Sequence, residues 1–160
     1  MTILGRLLLL LLLSSSTAVA APSGPAASDV EVLQAEFGLF HAPDSGKPSF
    51  EPSRTIPLKD GQEYGWFLIL KTSRPTVTWR EEFTLPSAPQ SWGTGEDQGR
   101  QRISVDRTTS TTERTVPLDE RGLVLNRWAV APGDPAGRYE IRVFVDGVLV
   151  RTFEFEVERP

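Results

Sequence analysis

Apolar and polar side chains alternate along most of this chain, and this two-residue period limits the folds open to it more than any other feature. Such alternation is typical of β-strands that bury one face. It occurs in four stretches: Leu33–Leu39, Val77–Leu85, Tyr139–Val145 and Leu149–Val157. Thirteen prolines and thirteen glycines are scattered between the apolar runs, and they interrupt any helical period before it reaches three turns. The sequence therefore predicts an all-β protein.

Short strands separated by turn residues favour one immunoglobulin-like antiparallel β-sandwich of about seven strands, covering residues 29–160. One segment, Tyr64–Leu70, is apolar on both faces, as expected of a central strand that is covered on each side. The predicted strands are Val30–Phe40, Gln62–Lys71, Thr76–Leu85, Arg102–Asp106, Leu123–Val130, Arg138–Val145 and Leu149–Glu158.

The first twenty residues have the features of an export signal. Arg6 supplies the positive charge, Leu7–Leu13 is an unbroken apolar run, and Ala18–Ala20 provides small residues for cleavage. The apolar segment is much shorter than the roughly 20 residues that span a bilayer. We therefore expect a cleaved signal peptide over residues 1–20, a flexible lead-in over 21–28, and a mature chain with no membrane span. The protein is expected to be periplasmic or secreted.

A hairpin is predicted near the C-terminus, because Asp146-Gly147 lies between two alternating runs. Loops of two or three residues are both compatible with this dipeptide, and they differ by one residue in register. A one-residue slip exchanges the buried and exposed faces of a strand. The apolar pattern favours a bulged three-residue loop, which pairs Val145 with Leu149 and Ile141 with Phe153.

The strand before this hairpin opens with Tyr139, directly after the turn Asp134–Arg138. This arrangement resembles the tyrosine corner of immunoglobulin-like sandwiches. The resemblance implies that Trp79, or alternatively Trp66, is the core tryptophan of the domain. It also implies that Ile141 stands where antibody domains have the second cysteine of their disulfide.

The last third of the chain resembles the closing strands of small exported bacterial β-sandwich domains of unknown function. The resemblance rests on the pattern W-x-V-x-P-G-D-P-x-G-x-Y-x-I-x-V-x-V-D-G-x-L-V-x-x-F-x-F-x-V, over residues 128–157. It implies a fold and a compartment, and it implies no active site.

Composition excludes several classes of function. The net charge of −4 is not that of a nucleic-acid-binding protein. The absence of cysteine excludes disulfides, thiolate metal sites and a cysteine nucleophile. The single histidine, His41, precedes a turn-like segment, and we expect a solvated loop residue there rather than a metal ligand or a general base. No metal, cofactor or catalytic residue is therefore expected.

Two polar clusters could suggest catalysis. Glu81 and Glu82 are adjacent on a strand, so their side chains point to opposite faces and cannot share one substrate. Glu81 interrupts an apolar inward face, which predicts a bulge or a strand-edge position, or else a buried partner such as an arginine. The run Ser110–Thr112 has no histidine to act as a base, and we expect a solvated strand or edge there.

The longest stretch without a strand pattern is Pro86–Arg102. Loops of this length are usually functional or disordered. Within it, Trp92 could be an exposed anchor for a sugar ring or a peptide, or it could fold back over the sheet edge, which we favour. A candidate partner surface would then consist of Trp92, Arg100, Arg102 and His41, at the same end of the sandwich as the 41–57 connection and the 132–137 corner.

The expected function is therefore that of a non-catalytic module that binds a protein or a glycan of the cell envelope. Two alternatives remain open. A small carboxylate-dependent glycan hydrolase would require a second acid within about 10 Å of Glu81 in a deep pocket. An accessory subunit of an envelope assembly would require a long, uncovered apolar patch or edge.

Overall fold

The computed structural model describes residues 29–41, 49–93 and 100–160. The expected signal peptide and lead-in lie outside the described residues, as does part of the long loop that follows Pro86. The described residues contain β-strands, turns and irregular segments. No helix capable of crossing a membrane is found among them.

Within the described part of the chain, ten strands form two sheets, which pack face to face as a β-sandwich. The first sheet has four strands in the order β2-β1-β4-β8, and the second has six in the order β3-β10-β9-β5-β7-β6. All pairings are antiparallel except that of β3 with β10. The strands are β1 Glu31–His41, β2 Ser49–Pro52, β3 Thr55–Pro57, β4 Glu63–Lys71, β5 Thr76–Thr84, β6 Arg100–Ile103, β7 Thr109–Pro117, β8 Leu123–Ala129, β9 Gly137–Val145 and β10 Val148–Glu158.

The predicted all-β immunoglobulin-like sandwich is confirmed, and three strands were missing from the prediction: β2, β3 and β7. The omission of β7 has a physical reason. It is an interior strand between β5 and β6, but its inward-facing residues Ser110 and Thr112 are hydroxyl-bearing rather than apolar. The Ser110 hydroxyl accepts a hydrogen bond from Gln101 Nε2 at 3.0 Å. The expectation of a solvated strand or edge at Ser110–Thr112 is therefore wrong.

The core between the sheets is aromatic. Trp66 and Trp79 are both buried, and their rings meet edge to face at 88° with centroids 5.4 Å apart. Phe37 stacks on Phe155 with a centroid separation of 4.2 Å. Edge-to-face and offset arrangements of this kind are favoured over a face-to-face sandwich by the ring quadrupoles. Trp79 therefore lies in the core, where the immunoglobulin resemblance implied it, and Trp66 lies there with it.

The β9–β10 hairpin has a two-residue turn, so the predicted three-residue loop is wrong. Asp146 and Gly147 both adopt positive φ, at 49° and 84°, as a type I′ turn requires. The extra residue lies farther along β10, in a register shift between Leu149 and Arg151. Beyond this bulge Ile141 pairs with Phe153 as expected, whereas Val145 does not pair with Leu149. The apolar pattern therefore predicted the pairing of Ile141 with Phe153 correctly, but it placed the extra residue in the turn instead of in β10.

Tyr139 makes the hydrogen bond that defines a tyrosine corner. Its ring is buried, and its hydroxyl donates to the carbonyl of Pro135, four residues upstream, at 2.6 Å. Ile141, two residues later on the same face, is fully buried in the core. The corner therefore fixes the turn before β9 to the start of that strand.

We predict that Tyr139→Phe lowers the free energy of unfolding by about 1 kcal/mol, the typical net value of one hydrogen bond. Phenylalanine keeps the ring volume, so the packing should be unchanged. Urea denaturation measures the effect. Tyr64→Phe is the matched control, because the hydroxyl of Tyr64 has no hydrogen-bond partner among the described residues. Equal losses in the two variants would contradict a role for the corner bond.

Candidate binding cleft

A carboxylate lies at the centre of the sandwich. Glu81, on β5, is fully buried, and its strand pairs regularly with both neighbours at this position. Trp66 Nε1 donates to Glu81 Oε2, Trp128 Nε1 donates to Oε1 at 2.9 Å, and Asn126 Nδ2 lies 3.2 Å from both oxygens. The predicted bulge or strand-edge position for Glu81 is therefore wrong.

These hydrogen bonds link the two sheets. Glu81 belongs to the six-stranded sheet, whereas its donors lie on β4 and β8 of the four-stranded sheet. All three donors are neutral N–H groups, and within the described residues no cation pairs with this carboxylate. Burying a carboxylate is costly unless several hydrogen bonds compensate. Each such bond to a charged group contributes about 1.5–3 kcal/mol.

Burial raises the pKa of Glu81 above its ordinary value of 4.5, and the hydrogen bonds from Trp66, Asn126 and Trp128 only partly offset this effect. A carboxyl group whose oxygens are both engaged and shielded from solvent cannot touch a substrate. Glu81 therefore has the geometry of a structural link rather than of a catalytic acid.

The neighbouring Glu82 points to the opposite, outer face of the sheet, as the sequence predicts. It forms ion pairs with Arg80 and with Arg142, the latter at 2.9 Å. The guanidinium of Arg80 lies 3.8 Å from the ring centre of Phe144 on the same face. Glu81 thus lies between the two sheets, and Glu82 lies on the outer face of the six-stranded sheet.

A cleft of about 490 Å³ opens beside the Glu81 link, between β8 and the segment that carries Trp92. This volume lies within the roughly 300–1,000 Å³ of typical ligand sites. Its walls combine indole and phenyl rings with charged side chains, namely Phe83, Trp92, Trp128, Glu63, Arg114, Arg127 and Asp134. Trp128 and Asn126 line this cleft and also donate to Glu81, so the buried carboxylate fixes one wall of the cleft.

Trp92 is folded back onto the edge of the sandwich and is half-buried there. Its Nε1 donates to the carbonyl of Arg107 at 2.8 Å. Its ring meets Phe83 and Trp128 edge to face, with centroids 5.8 and 6.1 Å away. Trp92 therefore does not project freely into solvent, and it presents part of its indole to the cleft.

Charges are arranged in order along the cleft. Arg114, on β7, is half-buried and has no ion-pair partner among the described residues. At the other end, Glu63 pairs with Arg127 at 3.3 Å, and Asp134 accepts a hydrogen bond from the amide of Ala131. Burial, together with the nearby charge of Asp60, raises the pKa of Asp134. One end of the cleft thus carries the cation Arg114, and the other, acidic end carries two carboxyl groups, one of which is paired with Arg127.

The structure does not bring the four residues of the predicted partner surface together. Arg100 and Arg102 lie on β6 in register with Glu113 and Thr111, which point away from the core. His41 is the last residue of β1, not a loop residue, and its Nε2 lies 3.1 Å from Glu51 Oε2. Only Trp92 lines the cleft.

The predicted arrangement of loops at this end of the sandwich fits the structure where both segments are described. The amide of Gln90 donates to the carbonyl of Gly133 at 3.4 Å, so the segment before Trp92 lies against the 132–137 corner.

No group of three or more potential metal-ligating side chains exists in residues 29–41, 49–93 and 100–160.

Sequence reasoning missed Asn126, Trp128 and Arg114 as lining residues of the cleft. Two of these residues could have been identified from the sequence, because Asn126 and Trp128 share one face of the predicted strand 123–130 with the apolar Val124. A polar amide on an inward face requires a polar partner. Glu81, on the inward face of β5, is the polar partner that Asn126 requires.

The chain belongs to the PM0630 beta sandwich domain family, whose model matches residues 35–158. An immunoglobulin-like protein from Pseudomonas aeruginosa has a similar structure, with a TM-score of 0.55 and 14% sequence identity, over 84% of this chain and 100% of that one. The alkylpurine DNA glycosylase AlkC from Pseudomonas fluorescens, solved with DNA containing an abasic site analog, gives a TM-score of 0.45 at 10% identity, over 81% of this chain and 30% of that one. No curated protein sequence matches the chain. The family and the Pseudomonas aeruginosa structure support the sandwich fold.

We predict that the contribution of Glu81 to the free energy of unfolding falls as the pH rises above about 4.5, and that Glu81→Gln removes this contribution. Because the pKa of Glu81 is raised, the folded state retains the proton at pH values where the unfolded chain has lost it. The free energy of unfolding therefore decreases with pH until the folded carboxyl group has itself ionised. Urea denaturation over a pH series measures the difference between the wild type and the variant.

Taking this difference cancels the contributions of other carboxyl groups. Hydrogen bonding from Ser104 lowers the pKa of Asp106, and hydrogen bonding from Arg121 lowers that of Asp119, so both contribute slopes of the opposite sign. Parallel stability profiles of wild type and Glu81→Gln would contradict the predicted shift.

Proposed function

We propose that this protein is an exported, non-catalytic binding module that takes a protein or glycan of the cell envelope into the cleft between β8 and Trp92. The observation that carries the proposal is the pairing of Trp92 and Trp128 in the walls of a preformed cavity with charged groups at both ends. Aromatic walls with a few polar groups are the usual composition of a ligand site. The export signal predicted over residues 1–20 supports the cell envelope as the compartment.

Binding is better supported than glycan hydrolysis. The hydrolase alternative depended on Glu81, whose carboxylate is sealed in the core and occupied by three donors. Of the two acids that line the cleft, Glu63 is tied to Arg127 and Asp134 to the amide of Ala131. These contacts orient the acids as fixed charges that could recognise a ligand.

The proposal predicts that the cleft is the place where this protein contacts its partner in the cell. A photo-reactive benzophenone amino acid placed at Ser91, an exposed residue of the cleft rim, should form adducts in intact cells. The same group at Val148, exposed on the hairpin at the other end of the sandwich, should not. Introducing Trp92→Ala should abolish the adducts formed from position 91. Mass spectrometry identifies them.

Purified protein applied to an array of cell-envelope glycans tests the other ligand class, with the Trp92→Ala variant as its control. A signal that needs Trp92 in either experiment supports the cleft. Adducts that are identical from positions 91 and 148, together with no Trp92-dependent signal on the array, would contradict the proposal.

A further inference from the structure

Strand β8 is an open edge of the sandwich. It pairs with β4 over seven consecutive positions, and no described strand lies on its other side. The pairing has no register shift, so β8 is regular and extended. A regular edge strand presents a row of free backbone donors and acceptors to which another chain can pair.

The direction of these free groups follows from the hydrogen bonds at the end of the strand. Val130 donates to Gln62 and accepts from Gly61, so its backbone points toward the β4 side. Antiparallel pairing alternates this direction residue by residue. The backbone groups of Leu125, Arg127 and Ala129 therefore point outward, with no partner among the described residues.

The cleft runs along this same edge. Leu125 and Arg127, from the outer face of β8, line it, and so do Asn126 and Trp128 from the inner face. A cavity that is lined by both faces of one strand must border the free edge of that strand. A chain paired to β8 would therefore direct alternate side chains toward the indoles of Trp92 and Trp128.

The charges give this edge a direction. Arg114 pairs in register with Trp79, which contacts Trp66 opposite Asn126, so Arg114 lies level with the middle of β8, before Trp128 along the strand. Glu63 pairs with Ala129 at the end of β8, and Asp134 lies just beyond it. An antiparallel partner would run from the acidic end of the cleft to Arg114.

We propose that the cleft binds an extended peptide, which adds to β8 as an antiparallel strand. A basic residue or an amino terminus of the peptide meets Glu63 and Asp134, an apolar or aromatic side chain enters between Trp92 and Trp128, and a carboxylate meets Arg114. This inference rests on the proposed function and specifies its ligand class. A peptide is favoured over a glycan because the outward amides and carbonyls of β8 match a second backbone in spacing and polarity.

The test begins with a library of synthetic nonapeptides, acetylated and amidated at their ends, presented to the purified full chain. Selected peptides should share a basic residue, then an aromatic residue, then an acidic residue in N-to-C order. Methylation of single backbone nitrogens in a selected peptide should weaken binding by about tenfold at every second position, because only alternate amides pair with β8. Isothermal calorimetry measures the affinities.

Two pairs of variants assign the contact to the edge and to Arg114. Leu125→Pro removes an outward N–H of β8 without removing a bond to β4, and it should weaken binding by about tenfold. Ile103→Pro, on the edge strand β6 of the other sheet, is the matched control and should leave binding unchanged. Arg114→Glu should weaken binding, and exchanging the acidic residue of the peptide for lysine should restore it. Arg151→Glu, an exposed arginine on β10, should have no effect.

Other outcomes separate this inference from the proposed function. Binding that depends on Trp92 but is insensitive to Leu125→Pro and to backbone methylation would overturn strand addition and leave the cleft as the ligand site. A Trp92-dependent glycan signal without peptide binding would do the same. A peptide-free dimer in sedimentation, abolished by Leu125→Pro, would assign the edge to a second copy of this chain and would also overturn the peptide inference.

Discussion

The structure depends on how one carboxylate is held in an apolar interior. Glu81 sits where the two sheets face each other, and indole and amide donors from the opposite sheet occupy both of its oxygens. Hydrophobic burial alone sets no unique alignment of two layers, because it has no direction. The hydrogen bonds of Glu81 do have direction, and they join β5 to β4 and β8 at one relative position. The chain has no cysteine, so no disulfide joins the two sheets.

The same link connects the core to the surface. Trp128 donates to Glu81 with its nitrogen and faces Phe83 and Trp92 with its ring. Its position in the cleft is therefore set from inside the protein. A side chain whose rotamer is already fixed loses little conformational entropy when a ligand binds to it. The buried carboxylate thus preorganises the cleft, although it does not contact the cleft's contents.

Much of the fold could be predicted from the sequence, because alternating apolar residues identify half-buried strands directly. Strands β1, β4, β5, β9 and β10 were predicted within a residue or two of their ends. The strand β7 was missed because hydroxyl groups replace apolar groups on its inward face. The position of the β10 bulge was missed because an extra residue in the turn and an extra residue in the strand give the same pairing of the apolar residues farther along β10.

The cleft was less accessible to sequence reasoning. Trp92 was identified as a candidate because it lies in a long polar loop. Its ring contacts Trp128 on β8, and the cleft also includes Arg114 of β7, and both strands are distant from Trp92 in the chain. Arg100 and Arg102 were grouped with it by proximity in sequence, whereas the alternation of β6 places them on the outer face. Glu81 was recognised as anomalous, but a bulge or a strand-edge position was predicted there, and a partner such as an arginine only if the carboxylate was buried. Indole N–H donors were not predicted, because a tryptophan in an apolar pattern is interpreted first as a buried apolar side chain.

The most direct test of this account is a pH titration of the tryptophan indole N–H resonances by two-dimensional NMR. If Glu81 accepts from both indoles, the signals of Trp66 and Trp128 should shift together, with one midpoint above the ordinary glutamate value of 4.5. The signal of Trp92, which donates to a backbone carbonyl, should not follow them. Separate midpoints for Trp66 and Trp128 would contradict the claim that one buried carboxylate joins the two sheets, and a shared midpoint at the ordinary glutamate value would contradict the raised pKa of that carboxylate.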